Sequence, residues 1–118
     1  MFDIVEIFKA LGDTNRLRIL NLLEEGPLCV CDLEEVLKLN QSNLSRHLAK
    51  LKQTGLVNAQ KKGLFIYYSR RELAAPYNEV INRLYEGLRL SGEWQADLEE
   101  LATRVSCEPS TLKNTPLE

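Results

Sequence analysis

The N-terminal half of the chain places apolar side chains at helical spacing in four successive segments. The first ends at Gly12 and the second at Gly26–Pro27, because glycine and proline interrupt helices. Asp13 or Thr14 is predicted to cap the second helix, and Asn40 the fourth. The apolar positions are, in order, Ile4, Ile7, Phe8 and Leu11; Leu17, Ile19, Leu20 and Leu23; Leu33, Val36 and Leu37; and Leu44, Leu48 and Leu51.

The period changes after Gly55, which closes the fourth helix. Residues 56–60 and 65–69 are rich in β-branched and aromatic side chains and flank a glycine-containing turn at residues 61–64, a pattern that predicts a β-hairpin. The third and fourth helices, joined by a tight turn, predict a helix-turn-helix, and a hairpin directly after it makes a winged helix. The predicted fold class is therefore mainly α with a small β-hairpin.

The remainder of the chain is predicted to be helical again. A long amphipathic helix is expected over Leu73–Leu88, with Pro76 early enough to be tolerated in its first turn. Ser91–Gly92 interrupts this helix, and residues 94–105 carry a further apolar stripe at helical spacing. The last dozen residues are expected to be irregular.

Length and composition narrow the class of protein. The 118 residues suffice for one modest core, and 44% apolar with 27% charged residues is ordinary for a globular protein. We find neither an apolar run long enough to span a membrane nor a basic leader, so we expect a cytoplasmic protein with no membrane partner.

The net charge of −2 conceals a strong asymmetry along the chain. Residues 41–70 hold six basic and no acidic side chains, whereas the other 88 residues hold nine basic and seventeen acidic ones. A basic module on an acidic body indicates that the module binds a polyanion. The alternative is an ordinary solvated face.

A helical wheel of the fourth helix separates its leucine stripe from a polar half that would read double-stranded DNA. Short or forked donors suit base edges and lysines suit phosphates, and Ala49 leaves room for close approach. Arg16, early in the second helix, is predicted to hold a phosphate, and Lys61 and Lys62 are predicted to contact DNA from the hairpin tip. The candidate DNA-contacting residues are Arg16, Gln41, Ser42, Asn43, Ser45, Arg46, Lys50, Lys61 and Lys62.

His47 is the single histidine, and it lies about 60° from the leucine stripe on an ideal wheel. We interpret it as a half-buried structural side chain rather than as a ligand or a base reader. The sequence also contains no acid–base pair, nucleophile elbow or phosphate loop. An enzyme is therefore not expected, and neither is an organic cofactor.

Three cysteines, two of them separated by one residue, favour free thiols or metal ligands over a disulfide framework. The segment around them resembles the arsenic-responsive branch of the ArsR/SmtB family of repressors. The resemblance runs from about Ala10 to Leu73, through ALGDTNRLRILNLL, the box LCVCDL, QSNLSRHLAKLKQTGLV and GLFIYYS. It implies a dimeric winged helix that leaves its operator DNA when an inducer binds, with Cys29 and Cys31 as inducer ligands.

The resemblance and the unpaired apolar surface of the N-terminal and Leu73–Leu88 helices predict a homodimer. We expect residues 1–90 to form the winged-helix DNA-binding and dimerisation domain. Residues 91–118 are expected to form a C-terminal helical extension and an irregular tail.

One position departs from the fullest form of the cysteine box, which carries a third cysteine where this chain has Glu34. Trivalent arsenic or antimony, the expected inducer, prefers three soft thiolates, and a carboxylate is a poor substitute. The remaining thiol is Cys107, which could fold back from its own subunit or from the partner. Cadmium or lead sensors of the family complete the box with N-terminal cysteines, and none precedes Cys29 here.

Side chains two residues apart on a helix point about 200° apart, so Cys29 and Cys31 can share an ion only where the helix is unwound or absent. Ion binding would then shift the third helix against the fourth. Three alternatives stay open at this point. They are a cadmium- or lead-responsive repressor, a thiol-redox switch that includes a disulfide between Cys29 and Cys31, and a metal- or redox-handling protein whose DNA module is vestigial.

Overall fold

The computed structural model describes residues 3–104, except for the side chain of Glu93. Helices and strands alternate along this part of the chain in the order expected for a winged helix. The elements are α1 (Ile4–Leu11), α2 (Thr14–Leu23), β1 (Leu28–Cys29), α3 (Val30–Leu37), α4 (Gln41–Gln53), β2 (Val57–Lys62), β3 (Phe65–Arg70), α5 (Tyr77–Leu90), a short 3-10 helix (Gly92–Trp94) and α6 (Gln95–Thr103).

Side-chain caps fix where the N-terminal helices begin, and both predicted capping sites are confirmed. The Asp13 carboxylate accepts the backbone N–H of Arg16 at 3.1 Å, and the Asn40 side chain accepts that of Asn43 at 2.8 Å. Each cap satisfies one of the backbone donors that the first turn of a helix leaves unpaired. The two helices of the helix-turn-helix are therefore held at defined starting points.

The core lies where α2, α3 and α4 meet. The predicted leucine stripe of α4 is buried, and it packs against the apolar faces of α2 and α3. Burial of such side chains supplies the main favourable term in folding. The fully or almost fully buried members are Ile7, Ile19, Leu20, Leu22, Leu33, Leu44, Leu48, Leu51, Leu56 and Val57.

The wing is a three-stranded antiparallel sheet with the order β1-β3-β2. The third strand, β1, was not predicted, because its two residues are too few to show a period. They pair with β3 through Leu28 opposite Tyr68 and Cys29 opposite Tyr67. One cysteine of the pair therefore belongs to the sheet and the other to α3.

The hairpin turn is tighter than predicted. Gly63 and Leu64 alone form it, with Gly63 at φ +63°, a conformation that glycine adopts without strain. Lys61 and Lys62 therefore lie in β2, not in the turn. Because successive strand residues face opposite sides of a sheet, Lys61 is exposed whereas Lys62 is only 6% exposed.

The helix predicted over Leu73–Leu88 begins later, at Tyr77, with Pro76 directly before its first residue, and continues to Leu90. The chain then turns through the 3-10 helix, and α6 folds back over α2 and α3. The guanidinium of Arg18 in α2 holds the Asp97 carboxylate of α6 with two hydrogen bonds of 2.8 and 2.9 Å. The predicted last helix ends at Thr103, and the tail that follows lies outside the described residues.

Exposed apolar side chains concentrate on α1 and α5. Phe8 is 58% and Val80 57% exposed, and Val5, Tyr77 and Leu84 accompany them. Ile7, which the sequence assigned to the same surface, instead lies fully buried in the core. None of the helices in the described part of the chain is long and apolar enough to cross a membrane.

Candidate nucleic-acid interface and thiol site

The outward face of α4 carries most of the residues predicted to read DNA. Gln41, Ser42, Ser45, Arg46 and Ala49 are exposed, and Asn43 is partly exposed. The guanidinium of Arg46 donates to the side-chain oxygen of Asn43 at 3.0 Å, so its fork is already oriented along the helix face. A forked donor on an exposed helix beside small polar residues is suited to base edges in a major groove.

Lys50 lies at the edge of this face and is shared with α1. Its ammonium nitrogen is 3.2 Å from a carboxylate oxygen of Glu6, and both side chains are partly exposed. A phosphate near Lys50 would have to compete with Glu6 for the same ammonium group. The lysine is thus also a link between α1 and α4.

The two lysines of the wing differ in their surroundings. Lys61 is exposed, as a phosphate contact requires. Lys62 is buried and places its ammonium 5.4 Å from the centre of the Tyr67 ring. This placement does not support the prediction that both lysines face DNA, and Lys61 is the wing lysine that we retain as a phosphate contact.

Arg16 also has partners that the sequence did not indicate. Its Nε donates to the carbonyl of Ala10 at 2.6 Å and its Nη2 to that of Lys9 at 3.3 Å. These carbonyls lie in the last turn of α1, where helical partners run out. Arg16 therefore closes the end of α1, a structural role that competes with the predicted phosphate contact.

His47, interpreted from the sequence as half-buried, is buried more deeply than expected, at 4% exposed. Its Nδ1 is 3.3 Å from Nη1 of Arg16. Because an arginine can only donate, Nδ1 accepts and the neutral ring carries its proton on Nε2. Burial lowers the pKa of His47, the charges of Arg16 and Arg46 lower it further, and Asp13, 3.9 Å away, opposes them.

Cys29 stands at the junction of β1 and α3. It is fully buried, and its sulfur accepts the backbone N–H of Asp32 at 3.4 Å, so that it serves as the N-cap of α3. Burial raises the pKa of the Cys29 thiol to about 11. A neutral thiol is a poor nucleophile and a poor metal ligand, so Cys29 becomes reactive only when the start of α3 opens.

Cys31 lies in the first turn of α3 and is partly exposed. It borders a cleft of about 300 Å³ between α3, α4 and the wing, together with Gln41, Ser45, Ile66 and others. Cys31 takes part in a disulfide whereas Cys29 is a free thiol. The alternative of a disulfide within the Cys29–Cys31 pair is therefore wrong for this structure.

A complete metal site is not assembled within residues 3–104, where no three His, Cys, Asp or Glu side chains are grouped to hold an ion. Glu34, at the position of the missing third cysteine, is partly buried on α3. The other candidate third ligand, Cys107, lies outside the described residues. The donor chemistry of Cys29 and Cys31 fits a soft ion, but binding by both requires the first turn of α3 to open.

One residue that bears on this site was missed in the sequence. Arg104, directly after α6, donates to the carboxylates of Asp32 and Glu35 on α3. The sequence signal was slight: one arginine after the acidic segment DLEELAT, with its partners some seventy residues away. Only tertiary folding brings these groups together.

Comparison with known proteins places these features in context. Residues 13–59 match the family model described as "Bacterial regulatory protein, arsR family". The chain is 44% identical over 63 residues to the arsenic resistance transcriptional regulator ArsR1 of Pseudomonas putida, a match that covers 52% of this chain and 49% of that protein. It is 42% identical over 87 residues to the cadmium resistance regulatory protein CadC of Listeria innocua, covering 73% and 69% of the two chains.

The chain thus spans about half the length of the first of these relatives. Among solved structures, the homodimeric winged helix-turn-helix DNA-binding domain of Mb0332 from Mycobacterium bovis superposes with a TM-score of 0.61 at 30% identity, covering 74% of this chain and 75% of that one. The winged helix predicted from the sequence is confirmed. All three proteins are described as regulators, in agreement with the prediction of a protein that is not an enzyme.

The lowered pKa of His47 predicts a pH-dependent stability. Below the ordinary histidine pKa of about 6.5, His47 binds a proton in the unfolded chain but stays neutral in the folded chain. The free energy of unfolding therefore falls as the pH falls. His47→Gln should flatten this dependence between pH 7.5 and about 5 in urea titrations. Because His47 is the single histidine, the slope left in the variant measures the carboxylates. An unchanged slope would show that His47 titrates normally.

Proposed function

Because this chain belongs to the ArsR family of bacterial regulatory proteins, we propose that it is a metalloid-responsive transcriptional repressor. A homodimer binds operator DNA and leaves it when trivalent arsenic or antimony binds cysteine thiolates. The observation that carries this proposal is the placement of Cys29 and Cys31 at the start of α3, the helix that packs directly on α4. Sensing and DNA reading are thus adjacent in one helix-turn-helix.

The DNA-binding part of the proposal is supported by geometry and charge. The exposed face of α4 carries donors and no carboxylate, and Lys61 of the wing is exposed beyond it. An exposed helix with a flanking basic hairpin fits a major groove and an adjacent phosphate row. We propose Gln41, Ser42, Asn43, Ser45 and Arg46 as base-proximal residues, with Lys50 and Lys61 on phosphates.

The homodimer is supported by the exposed apolar side chains of α1 and α5. Phe8 on α1 and Val80 on α5 are more than half exposed, and Val5 and Leu84 on the same two helices are exposed as well. Large exposed apolar surfaces usually mark an interface. The solved relative Mb0332 is described as a homodimer, and two copies of this chain paired through α1 and α5 would cover the set.

Release is proposed to follow from the chemistry of the box. Arsenous acid exchanges its hydroxyl groups for thiolates and releases water without any change of oxidation state. Cys29 must give up its thiol proton and its hydrogen bond from Asp32 to take part, so α3 loses its N-cap. We propose that α3 then moves against α4 and changes the separation of the two recognition helices in the dimer.

Arsenic or antimony is proposed over cadmium on the basis of the ligand supply. The relatives include both arsenic and cadmium regulators. Residues 1–28 hold no cysteine, and the third cysteine of the given sequence is Cys107. Three thiolates around a lone pair suit trivalent arsenic.

The second candidate function is a thiol-redox switch, which the disulfide at Cys31 favours. In this proposal Cys31 pairs with Cys107, because Cys29 is a free thiol. The two thiols lose two protons and two electrons to a peroxide, which is reduced to water. Anisotropy of labelled operator DNA separates the two functions. Cys29→Ser should abolish release by arsenite but leave release by peroxide intact if the redox switch operates.

DNA reading is tested by two substitutions with different expected signatures. Arg46→Ala should weaken specific operator binding by roughly 1–3 kcal/mol and relax base preference, because a forked donor to a base edge is lost. Lys61→Ala should weaken binding to operator and random DNA alike and flatten the salt dependence, because it contacts a phosphate. Identical behaviour of both variants on both DNAs would contradict the assignment.

Dimerisation is tested by placing a charge on the proposed interface. Phe8→Asp or Val80→Asp should convert the dimer to a monomer at micromolar concentration, because burying an unpaired carboxylate costs more than the contact gains. Sedimentation velocity measures the outcome. Leu64→Asp, at an exposed leucine of the wing, is the control that should remain dimeric. A wild-type monomer under the same conditions would overturn the proposal.

The inducer ligands are tested by Cys29→Ser and Cys31→Ser, which should retain operator binding and lose release by arsenite. A hydroxyl resembles a thiol in shape but is a hard, protonated ligand that a soft ion binds poorly. Cys107→Ser should raise the arsenite concentration for half-release about tenfold or more, roughly 1.4 kcal/mol per tenfold. Anisotropy titrations give these values. Normal release by the Cys29 and Cys31 variants would place the sensor elsewhere.

A further inference from the structure

An arginine at the base of the wing reaches two helices outside the wing. Arg70 is the last residue of β3, where it pairs with Val57 at the start of β2. Its Nη1 donates to the carboxylate of Glu24, directly after α2, and its Nη2 donates to the side-chain oxygen of Asn82 on α5 at 2.7 Å. The guanidinium carbon also lies 4.3 Å from the centre of the Tyr85 ring of α5. One side chain therefore binds the base of the wing to the end of α2 and to α5.

These contacts are partly shielded from water. The side chains of Arg70 and Glu24 are each 22% exposed, and Tyr85 is 3% exposed. Charge pairs and cation–π contacts are stronger where water is largely excluded than at an open surface. A guanidinium is also planar and holds its donors in a rigid fork. Partners at two of its nitrogens and an aromatic ring against it therefore fix both the position and the orientation of the strand end.

Arg70 and the proposed dimer interface lie on different sides of α5. Asn82, which binds Arg70, is partly buried, whereas Val80 is 57% exposed. Helical residues two positions apart point about 200° apart, so these two side chains face nearly opposite directions. Two copies can pair through α5 without displacing Arg70. The helix would then contact the partner subunit on one side and hold the wing on the other.

The wing lysine proposed to contact a phosphate lies far from this anchor. Lys61 of β2 pairs with Ile66, four residues before Arg70 in β3. Four strand residues span about 13 Å, so a tilt of about 10° at the base would move Lys61 by about 2 Å. A hydrogen bond needs its donor and acceptor within about 3.2 Å, so a shift of this size is enough to break a phosphate contact. The reach of Lys61 thus depends on how the base of the wing is held.

We propose that Arg70 is a positioning residue that couples the wing to α5, so that dimerisation sets where Lys61 meets the DNA backbone. The inference rests on the proposed function, since it names the residue that transmits the geometry of the dimer to one of the elements proposed to contact DNA. Arg70 itself contacts no DNA, because its guanidinium is bound within the protein. Lys61 contributes to operator binding only while this anchor is intact.

Operator binding by single and double variants tests the coupling. Arg70→Gln should weaken binding about tenfold, and Lys61→Ala should weaken it no further in that background, because the displaced wing has already lost its phosphate. The slope of log affinity against log salt should fall by about one in Arg70→Gln and no further in the double variant. Anisotropy of labelled operator DNA at several salt concentrations gives both values. Independent, additive effects of the two substitutions overturn the proposal.

Arg89→Gln is the matched control. Arg89 of α5 binds Glu25 at 2.9 Å and lies 3.9 Å from Glu24, so its loss removes a charge from the same cluster without touching the wing. This variant should keep wild-type operator affinity within about twofold and should leave the effect of Lys61→Ala unchanged. A loss equal to that of Arg70→Gln would reduce Arg70 to a general stabilising contact and overturn the proposal.

Asn82→Ala separates loss of coupling from loss of folding. It removes the α5 partner of Arg70 at a partly buried helix position and keeps the guanidinium with its Glu24 pair. It should reproduce part of the Arg70→Gln effect, including a smaller contribution from Lys61. If Asn82→Ala folds and binds operator DNA like the wild type, the link to α5 is wrong.

Hydrogen exchange without DNA distinguishes this inference from the proposed function. Phe8→Asp, which changes α1 and leaves α5 intact, supplies the monomer. Amides of residues 57–70 should exchange about tenfold faster in the monomer than in the dimer, and this difference should disappear in the Arg70→Gln background. If wild type binds no operator DNA but the difference follows Arg70, the repressor function fails and the coupling stands. If wild type binds operator DNA and exchange is the same in every variant, the coupling fails alone, and a wild-type monomer overturns both.

Discussion

The structure depends on how the first turn of α3 is capped. A helix start leaves backbone N–H groups without partners, and side-chain oxygens of Ser, Thr, Asp or Asn usually satisfy them. Here the acceptor is the sulfur of Cys29, a weak acceptor by nature. Two other contacts meet at the same turn: Cys29 pairs with Tyr67 of the wing, and Asp32 binds Arg104 after α6. The wing, the helix-turn-helix and the segment after α6 therefore all make contact at the first turn of α3.

In the proposed function, this arrangement would let one bound ion alter a large surface. A neutral thiol is a weak hydrogen-bond acceptor whereas a thiolate is a strong ligand for a soft ion, so the exchange proposed above gives up only a weak hydrogen bond. In that exchange α3 would lose the N-cap that fixes where the helix begins. Because α3 packs on α4 and Cys29 belongs to β1 of the wing sheet, both of the elements proposed to contact DNA adjoin the first turn of α3.

The parts of the molecule that the sequence predicted are those set by local rules. The leucine stripe of α4 and the Asp13 and Asn40 caps depend on spacing within one helix. The parts that were missed or misplaced depend on distant partners. The strand β1 exists only because β3 pairs with it, and Arg104 meets α3 across some seventy residues of chain. In the wing, a turn two residues shorter than expected moved Lys62 off the exposed face.

The relation between dimerisation and DNA reading follows from contacts between α1 and α4. Arg16 closes α1 and reaches His47 of α4, and Lys50 of α4 pairs with Glu6 of α1. The helix proposed to form the dimer is thus bound to the recognition helix at two points. Two recognition helices can enter successive major grooves only when they lie one helical turn apart, about 34–36 Å. Because burial lowers the pKa of His47, its ring accepts a hydrogen bond from Arg16 instead of repelling it, so a hydrogen bond and an ion pair together hold α1 against α4. In the proposed function, α3 with its thiol cap is then the element of the helix-turn-helix that a bound ion would move.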